Sequence, residues 1–193
     1  MIAIQFQKRD FEYDVYNLVK SFYPEEEIAL FDDDSPAAEY DEKISLFYGK
    51  NKINIRIERV SGDRKRQEEG VWLTEEMKER KARKNQTKML LYHMLQKRTG
   101  QELPWGTLTG VRPTKIPMAL IDAGHSNVET AKIMREQYLV SREKTALAIS
   151  IANRERHILE GIDYKNGYSL YIGIPFCPTI CAYCSFSSSP LKV

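Results

Sequence analysis

The chain has three cysteines in 193 residues, and none lies before position 177. An odd number of thiols confined to one end excludes the disulfide framework that staples small secreted domains. Histidine is equally scarce: His93, His125 and His157 stand singly and far apart, so imidazoles at metal-ligand spacing are absent. No apolar run approaches the roughly 20 residues that a membrane-crossing helix needs. Met1 to Phe6 is too short a lead, followed at once by Lys8, Arg9 and Asp10, to read as a secretion signal. Neither charge sign is in excess, with 29 Lys and Arg against 27 Asp and Glu, and the 42% hydrophobic content is that of an ordinary folded chain. There is no internal repeat, and the serines at Ser185 and Ser187 to Ser189 read as loop. A reducing cytoplasm is the expected setting.

What is present is concentrated in the run CPTICAYC, where Cys177, Cys181 and Cys184 fall within one stretch of eight residues. Three thiols scattered at random would rarely cluster so, and the C-x-x-x-C-x-x-C spacing lets one short loop wrap three thiolates around a compact centre. A fourth protein ligand is missing. A 4Fe-4S cube is usually held by four thiolates, so three leave one iron open for a small molecule. A structural zinc normally takes a fourth sulfur or imidazole and a second cysteine pair. The spacing therefore favours an iron-sulfur site, with zinc still open on the residues alone. Before the first cysteine, YSLYIGIPF (168–176) is rich in β-branched and aromatic residues and predicts a buried strand ending at Pro175. A loop leaving the carboxyl end of a strand is where α/β folds place ligands.

The first sixty residues predict a small α+β unit. Ile2, Ile4 and Phe6 alternate with polar or small neighbours, Asp10 is placed to cap a helix carrying Phe11, Val15, Leu18, Val19 and Phe22, and Pro24 stops it. Ile28 to Phe31 forms a second strand, followed by the acidic turn Asp32-Asp33-Asp34. Lys43 to Tyr48 and Lys52 to Val60 then make a hairpin around Gly49-Lys50-Asn51, with Ile53, Ile55 and Ile57 on its buried face. This β-α-β-β layout suggests a ferredoxin-like half sheet. Residues 61–72 read as a polar connector. A long helix then starts at Thr74, with Glu75 and Glu76 at its positive end, a stripe of Met77, Met89, Leu90, Leu91, Met94 and Leu95, and a stop at Gly100.

The middle of that helix is basic, with Arg80, Lys81, Arg83, Lys84 and Lys88, and Lys97 and Arg98 follow toward its end. Such a surface fits a nucleic-acid or acidic partner, but the aromatic interleaving of base-stacking surfaces is missing. A solvated face, or one neutralised by the acidic first sixty residues, is the preferred reading, and nucleic acid is disfavoured. In LPWGTLTGVRPTK (103–115), Gly106 and Gly110 suggest tight backbone and Pro113 begins a short helix running to Gly124. Arg112 and Lys115 could hold an anion at that helix start. The plainer expectation is that Arg112 pairs with a carboxylate and Trp105 packs inside. Ser126 with Glu129 predicts a capping box, and Ser141 opens a last helix closed by Gly161.

The strand followed by IPFC and C-x-x-x-C-x-aromatic-C resembles the radical S-adenosylmethionine superfamily. LYIGIPFCPTICAYCSF is similar to its coproporphyrinogen branch, and LPWGTLTGVRPTK with the preceding helix resembles the HemZ-type oxygen-independent coproporphyrinogen III oxidases/dehydrogenases. The resemblance implies that Cys177, Cys181 and Cys184 bind a 4Fe-4S cluster whose open iron chelates S-adenosylmethionine. Tyr171 and Tyr183 would lie beside that cofactor, and no catalytic side chain beyond the cluster is implied. Reduction, by a donor such as a flavodoxin or ferredoxin, would release a 5'-deoxyadenosyl radical that attacks a porphyrinogen propionate; carbon dioxide is lost and a vinyl group remains. Gly173 and Phe186 stand where the best-known coproporphyrinogen enzymes carry a histidine and a fourth cysteine, and Phe186 resembles the haem-carrying chaperones of the same fold. A haem-binding protein is therefore an alternative expectation, and a nucleic-acid or partner-binding module in residues 1–160 is another.

The expected organisation is thus a small α+β unit over 1–60, a helical region over 61–160, and over 161–193 the first strand and cluster loop of a truncated α/β radical S-adenosylmethionine barrel. The chain stops soon after the third cysteine, so the remaining barrel strands are expected elsewhere. On that reading the 193 residues are an amino-terminal portion that does not catalyse alone.

Overall fold

A computed structural model of the chain describes residues 1–32, 40–61, 64–73, 79–110, 112–163, 166–179, 181–186 and 189–190. Two compact units emerge, Met1–Arg156 and His157–Val193.

In the first unit the period-two alternation becomes β1 (Ile2–Phe6), and the helical spacing of apolar residues becomes α1 (Glu12–Phe22). β2 (Ile28–Asp32), β3 (Glu42–Tyr48), β4 (Lys52–Ser61) and β5 (Arg64–Leu73) complete a five-stranded sheet in the order β2-β1-β3-β4-β5. β1 runs parallel to both β2 and β3, while β3, β4 and β5 are antiparallel. The expected hairpin is present, with Ile44 opposite Ile57 and Leu46 opposite Ile55, all fully buried. Val15, Leu18, Val19 and Phe22 of α1 share one core with these strands and with Leu91, Tyr92, Met94 and Leu95 of α2 (Arg80–Thr99).

Three expectations change here. In the ferredoxin-like split unit another strand lies between the two joined by the helix; here β1 and β2 pair directly, so the sheet is mixed and its topology different. The helix is not capped by Asp10: Phe11 occupies the N-cap in a left-handed conformation, φ 60°, without a side-chain cap. The connector over 61–72 is largely strand β5, which pairs with β4 along ten residues. Its composition hid it, because RKRQEEGVWL lacks the apolar alternation of a half-buried strand. It lies at the sheet edge, where charged side chains are tolerated and discourage pairing with other chains. Glu69 accepts a hydrogen bond from Asn54 on β4, and Glu68 Oε1 lies 2.7 Å from Lys97 Nζ on α2. The helix start expected at Thr74 and the core position Met77 fall outside the described residues; α2 as described begins at Arg80.

Beyond the sheet lie α3 (Lys115–Asp122), α4 (Asn127–Tyr138) and α5 (Arg142–Leu159). The capping box forms as expected: Ser126 N–H donates to Glu129 Oε2 at 2.8 Å and Glu129 N–H donates to Ser126 Oγ at 3.2 Å. Ser141 Oγ accepts from Lys144 N–H at the start of α5, 3.2 Å away. Trp105, Leu108, Ile116 and Tyr138 pack around Met134, Val140 and Ala148 as a satellite core. Gly106, with φ 56°, passes directly against the Tyr138–Leu139 backbone, where a Cβ would collide. Thr107 N–H donates to Tyr138 O at 2.8 Å and Ser141 N–H to Pro104 O at 3.0 Å, tying this stretch to the α4–α5 junction.

The second unit has little regular structure among its described residues. The buried strand expected over 168–176 is not formed: Leu170, Ile172 and Ile174 are exposed, and only β6 (Phe176–Cys177) pairs, in parallel, with β7 (Ser189–Pro190). The residues have strand propensity, but a strand is stable only beside partners that satisfy its backbone, and the described part of this unit supplies none for 168–175.

Candidate metal centre

The three thiols occupy a loop closed at its neck. Phe176 pairs with Ser189 and Cys177 with Pro190, and Ser189 N–H donates to Pro175 O at 2.7 Å. Within the loop a turn is closed by Cys184 N–H donating to Cys181 O at 3.0 Å. This puts two of the three cysteines at the two ends of one turn, with Tyr183 between them. Cys177 is half-buried, Cys181 and Cys184 are exposed, and all three are free thiols. The Cys184 thiol faces Phe186 O at 3.9 Å.

The loop supplies a suitable donor set: three unpaired thiols, reachable from solvent, on one short closed segment. Soft thiolates select iron-sulfur centres, zinc or copper(I). The side chains are not gathered; among the described residues no group of three His, Cys, Asp or Glu is close enough to hold a metal ion. Tyr171 and Tyr183, the expected cofactor neighbours, are 82% and 90% exposed, and the Tyr171 ring lies over Gly173. The sequence thus groups three candidate ligands on one segment, and among the described residues their side chains do not converge.

The basic helix finds partners in the α+β unit. Lys84 and Lys88 approach Asp14 of α1 at 3.7 and 3.5 Å, and Arg98 Nε donates to Glu42 Oε2 of β3 at 2.8 Å. Arg83 donates to Gly49 O at 2.9 Å and stacks over the Tyr48 ring. The plainer expectation for Arg112 also holds, since Arg112 Nη2 donates to Glu155 Oε2 at 2.9 Å. One arrangement was not foreseen. Lys88, one charge among several in the sequence, has a side chain only 8% exposed, and Thr109 Oγ1 lies 3.3 Å from its ammonium. A lysine sharing a turn with the core residues Thr87 and Leu91 was the available signal.

A mixed α/β unit followed by a loop bearing three free thiols defines the class: a candidate metal-loop protein. The comparisons give it a relative. Over 181 residues the chain is 33% identical to the oxygen-independent coproporphyrinogen-III oxidase-like protein HemZ of Bacillus subtilis, a match covering 91% of this chain and 35% of that protein. The chain is thus similar to a HemZ-type protein, in keeping with the resemblance of its motifs, and spans about a third of that protein's length. No family model matches. Among solved structures, protein VC0702 of Vibrio cholerae aligns over 84% of this chain and 99% of its own at 12% identity, with a TM-score of 0.25 that is too low to indicate a shared fold. No helix of the described residues is long and apolar enough to cross a membrane.

Proposed function

We propose that the chain is part of a cytoplasmic radical S-adenosylmethionine enzyme of haem biosynthesis, whose reaction is the oxidative decarboxylation of coproporphyrinogen III to protoporphyrinogen IX. The observation that carries this reading is the placement of all three thiols on one closed, accessible loop, in a chain one-third identical to a HemZ-type protein. Cys177, Cys181 and Cys184 would hold three irons of a 4Fe-4S cluster, leaving the fourth to S-adenosylmethionine, with Tyr171 and Tyr183 as its neighbours. The bound group would supply one-electron cleavage of the sulfonium, with the electron drawn from a flavodoxin or ferredoxin.

On the protein side, the β6–β7 neck fixes the two ends of the loop, and the Cys181–Cys184 turn sets the spacing of two ligands. The exposed run 168–175 has the composition of a strand and no strand partner among the described residues. Burial of that run would bring Tyr171 and the cysteines out of water. The 193 residues alone are therefore expected to bind the cluster without turning over porphyrinogen.

Anaerobic reconstitution with iron and sulfide tests the reading. Cubane absorption and about four irons per chain are expected, together with a spectral change when S-adenosylmethionine is added. Zinc held tetrahedrally by the three cysteines would end it. Haem binding at one per chain, with no response to S-adenosylmethionine, would instead favour the haem-carrying alternative suggested by Phe186.

A further inference from the structure

A cavity of about 540 Å³ lies in the Met1–Arg156 unit, where α1, α2 and the stretch leading into α3 meet. Its volume is that of a small-molecule site, commonly about 300–1,000 Å³. Lys81, Lys84 and Lys88 of α2 line it, spaced so that they share one stripe of the helix, and Lys115 faces it from the start of α3. Asp14 is the carboxylate that answers them, and it is shared between Lys84 and Lys88 at long distances of 3.7 and 3.5 Å. The described residues give Lys81 and Lys115 no ion-pair partner. The Lys88 ammonium has three hydrogens, but its contacts are Asp14 at 3.5 Å and Thr109 Oγ1 at 3.3 Å, both beyond the usual range of about 2.7–3.2 Å. Accepting from Lys88 leaves the Thr109 hydroxyl free to donate its own hydrogen elsewhere. Ile116, Ala119 and Leu120 form an apolar wall, and Tyr13 and Tyr138 border it.

A buried cation that is long of every acceptor, in a cavity with several ammoniums and one carboxylate, is the environment an anion completes. The chemistry of that anion can be narrowed. Separate ammonium point charges along one stripe suit a chain of phosphates, whereas a single planar carboxylate is better matched by an arginine fork; the cavity's arginine, Arg112, is already engaged by Glu155. The apolar wall and the tyrosines suit a flat body of the size of a nucleobase.

We propose that this cavity binds a small phosphate-bearing ligand of nucleoside diphosphate size, with Lys88 and Thr109 at the phosphates and the α3 wall against the base. Burial holds the Lys88 ammonium below the ordinary lysine range, and a bound phosphate works against that shift. The site uses no cysteine and stands independently of the cluster reading.

Calorimetric titration of the 193-residue chain with ADP, pyrophosphate, adenosine and citrate tests it. ADP should saturate at one per chain, at least tenfold more tightly than adenosine or citrate, with pyrophosphate between. Lys88→Met and Thr109→Val should each weaken ADP at least tenfold, while Lys132→Ser on the exposed face of α4 leaves it unchanged. Should Lys88→Met fail to fold, Lys115→Ser at the exposed rim decides the matter, with a loss of at least threefold expected. Absence of saturation by ADP, equal affinity for citrate, or retention of full affinity in the folded lysine variants would overturn the proposal, as would binding of RNA without competition by ADP. A Cys177→Ser chain should bind ADP as before, so this site and the cluster can fail separately.

Discussion

At the scale of single residues, the most consequential contact outside the two candidate sites is the anchoring of α2 to the sheet through Arg98. Glu42 is largely buried, and its carboxylate accepts from Arg98 Nε at 2.8 Å and from the Tyr23 hydroxyl at 3.2 Å. Burial first, and then the Glu42 charge, push the Tyr23 hydroxyl up to about 12. Removing the guanidinium strands a carboxylate in the interior, so Arg98→Ala should cost about 3 kcal/mol in urea unfolding. Replacing both partners, with Glu42→Leu added, should recover much of that loss. A second residue-scale prediction concerns pH. Hydrogen bonds from the Ser126 N–H and hydroxyl hold Glu129 below its ordinary value of 4.5. A carboxyl lowered by folding adds stability above its unfolded pKa, and that stability is lost as pH falls through the folded value. Glu129→Gln should therefore destabilise the chain at neutral pH, with the difference shrinking below about pH 4.5; a difference independent of pH would contradict this. Ser126→Ala should cost about 1 kcal/mol at neutral pH. Residue chemistry of this kind was partly legible: Ser126-x-x-Glu129 and the cysteine trio announce themselves by spacing. Lys88 does not, because the sequence cannot show which of seven cations between Arg80 and Arg98 is covered by a neighbouring element.

At the scale of elements, legibility followed hydrophobic pattern. The β3–β4 hairpin, α1 and the capped helices α4 and α5 were readable because apolar period and terminators agree. β5 was not, since a charged edge strand is held by its backbone ladder and by pairs across to β4 and α2, which no local pattern encodes. The run 168–175 failed in the opposite sense, with strong propensity and no strand partner among the described residues. The fit of α2 against β5 depends on Gly70, where an added Cβ would come within 2.5 Å of Met94 Sδ and 3.1 Å of Leu90 Cδ1. Overpacking of this kind typically costs about 1–3 kcal/mol. Gly70→Val should therefore lower the unfolding midpoint, and Met94→Ala should be less harmful in that background than alone. Additive effects of the two substitutions would show that the strand and helix do not compete for this space.

At the scale of the whole molecule, the hydrophobic core and the candidate metal loop belong to different units. Every buried apolar side chain among the described residues lies between Ile2 and Ala152, so the hydrophobic term that drives folding is confined to Met1–Arg156. The cysteine loop, with an exposed approach and two short strands, adds almost nothing to that term. A variant carrying Cys177→Ser, Cys181→Ser and Cys184→Ser should then unfold within about 0.5 kcal/mol of the parent chain without metal, as expected of surface substitutions. After anaerobic loading the same variant should retain only background iron and sulfide, while the parent holds its full complement. The two readouts address different statements. A shift of the metal-free transition by several degrees would show that the loop supports the sheet and helices, contrary to the division seen here. Unchanged iron in the triple variant would place the metal elsewhere and remove the three thiols as its ligands. If instead loading stabilises the parent but not the variant, its size follows the concentration of metal relative to its affinity, and the apolar run before Cys177 becomes the segment in which to look for the ordering that couples the two units.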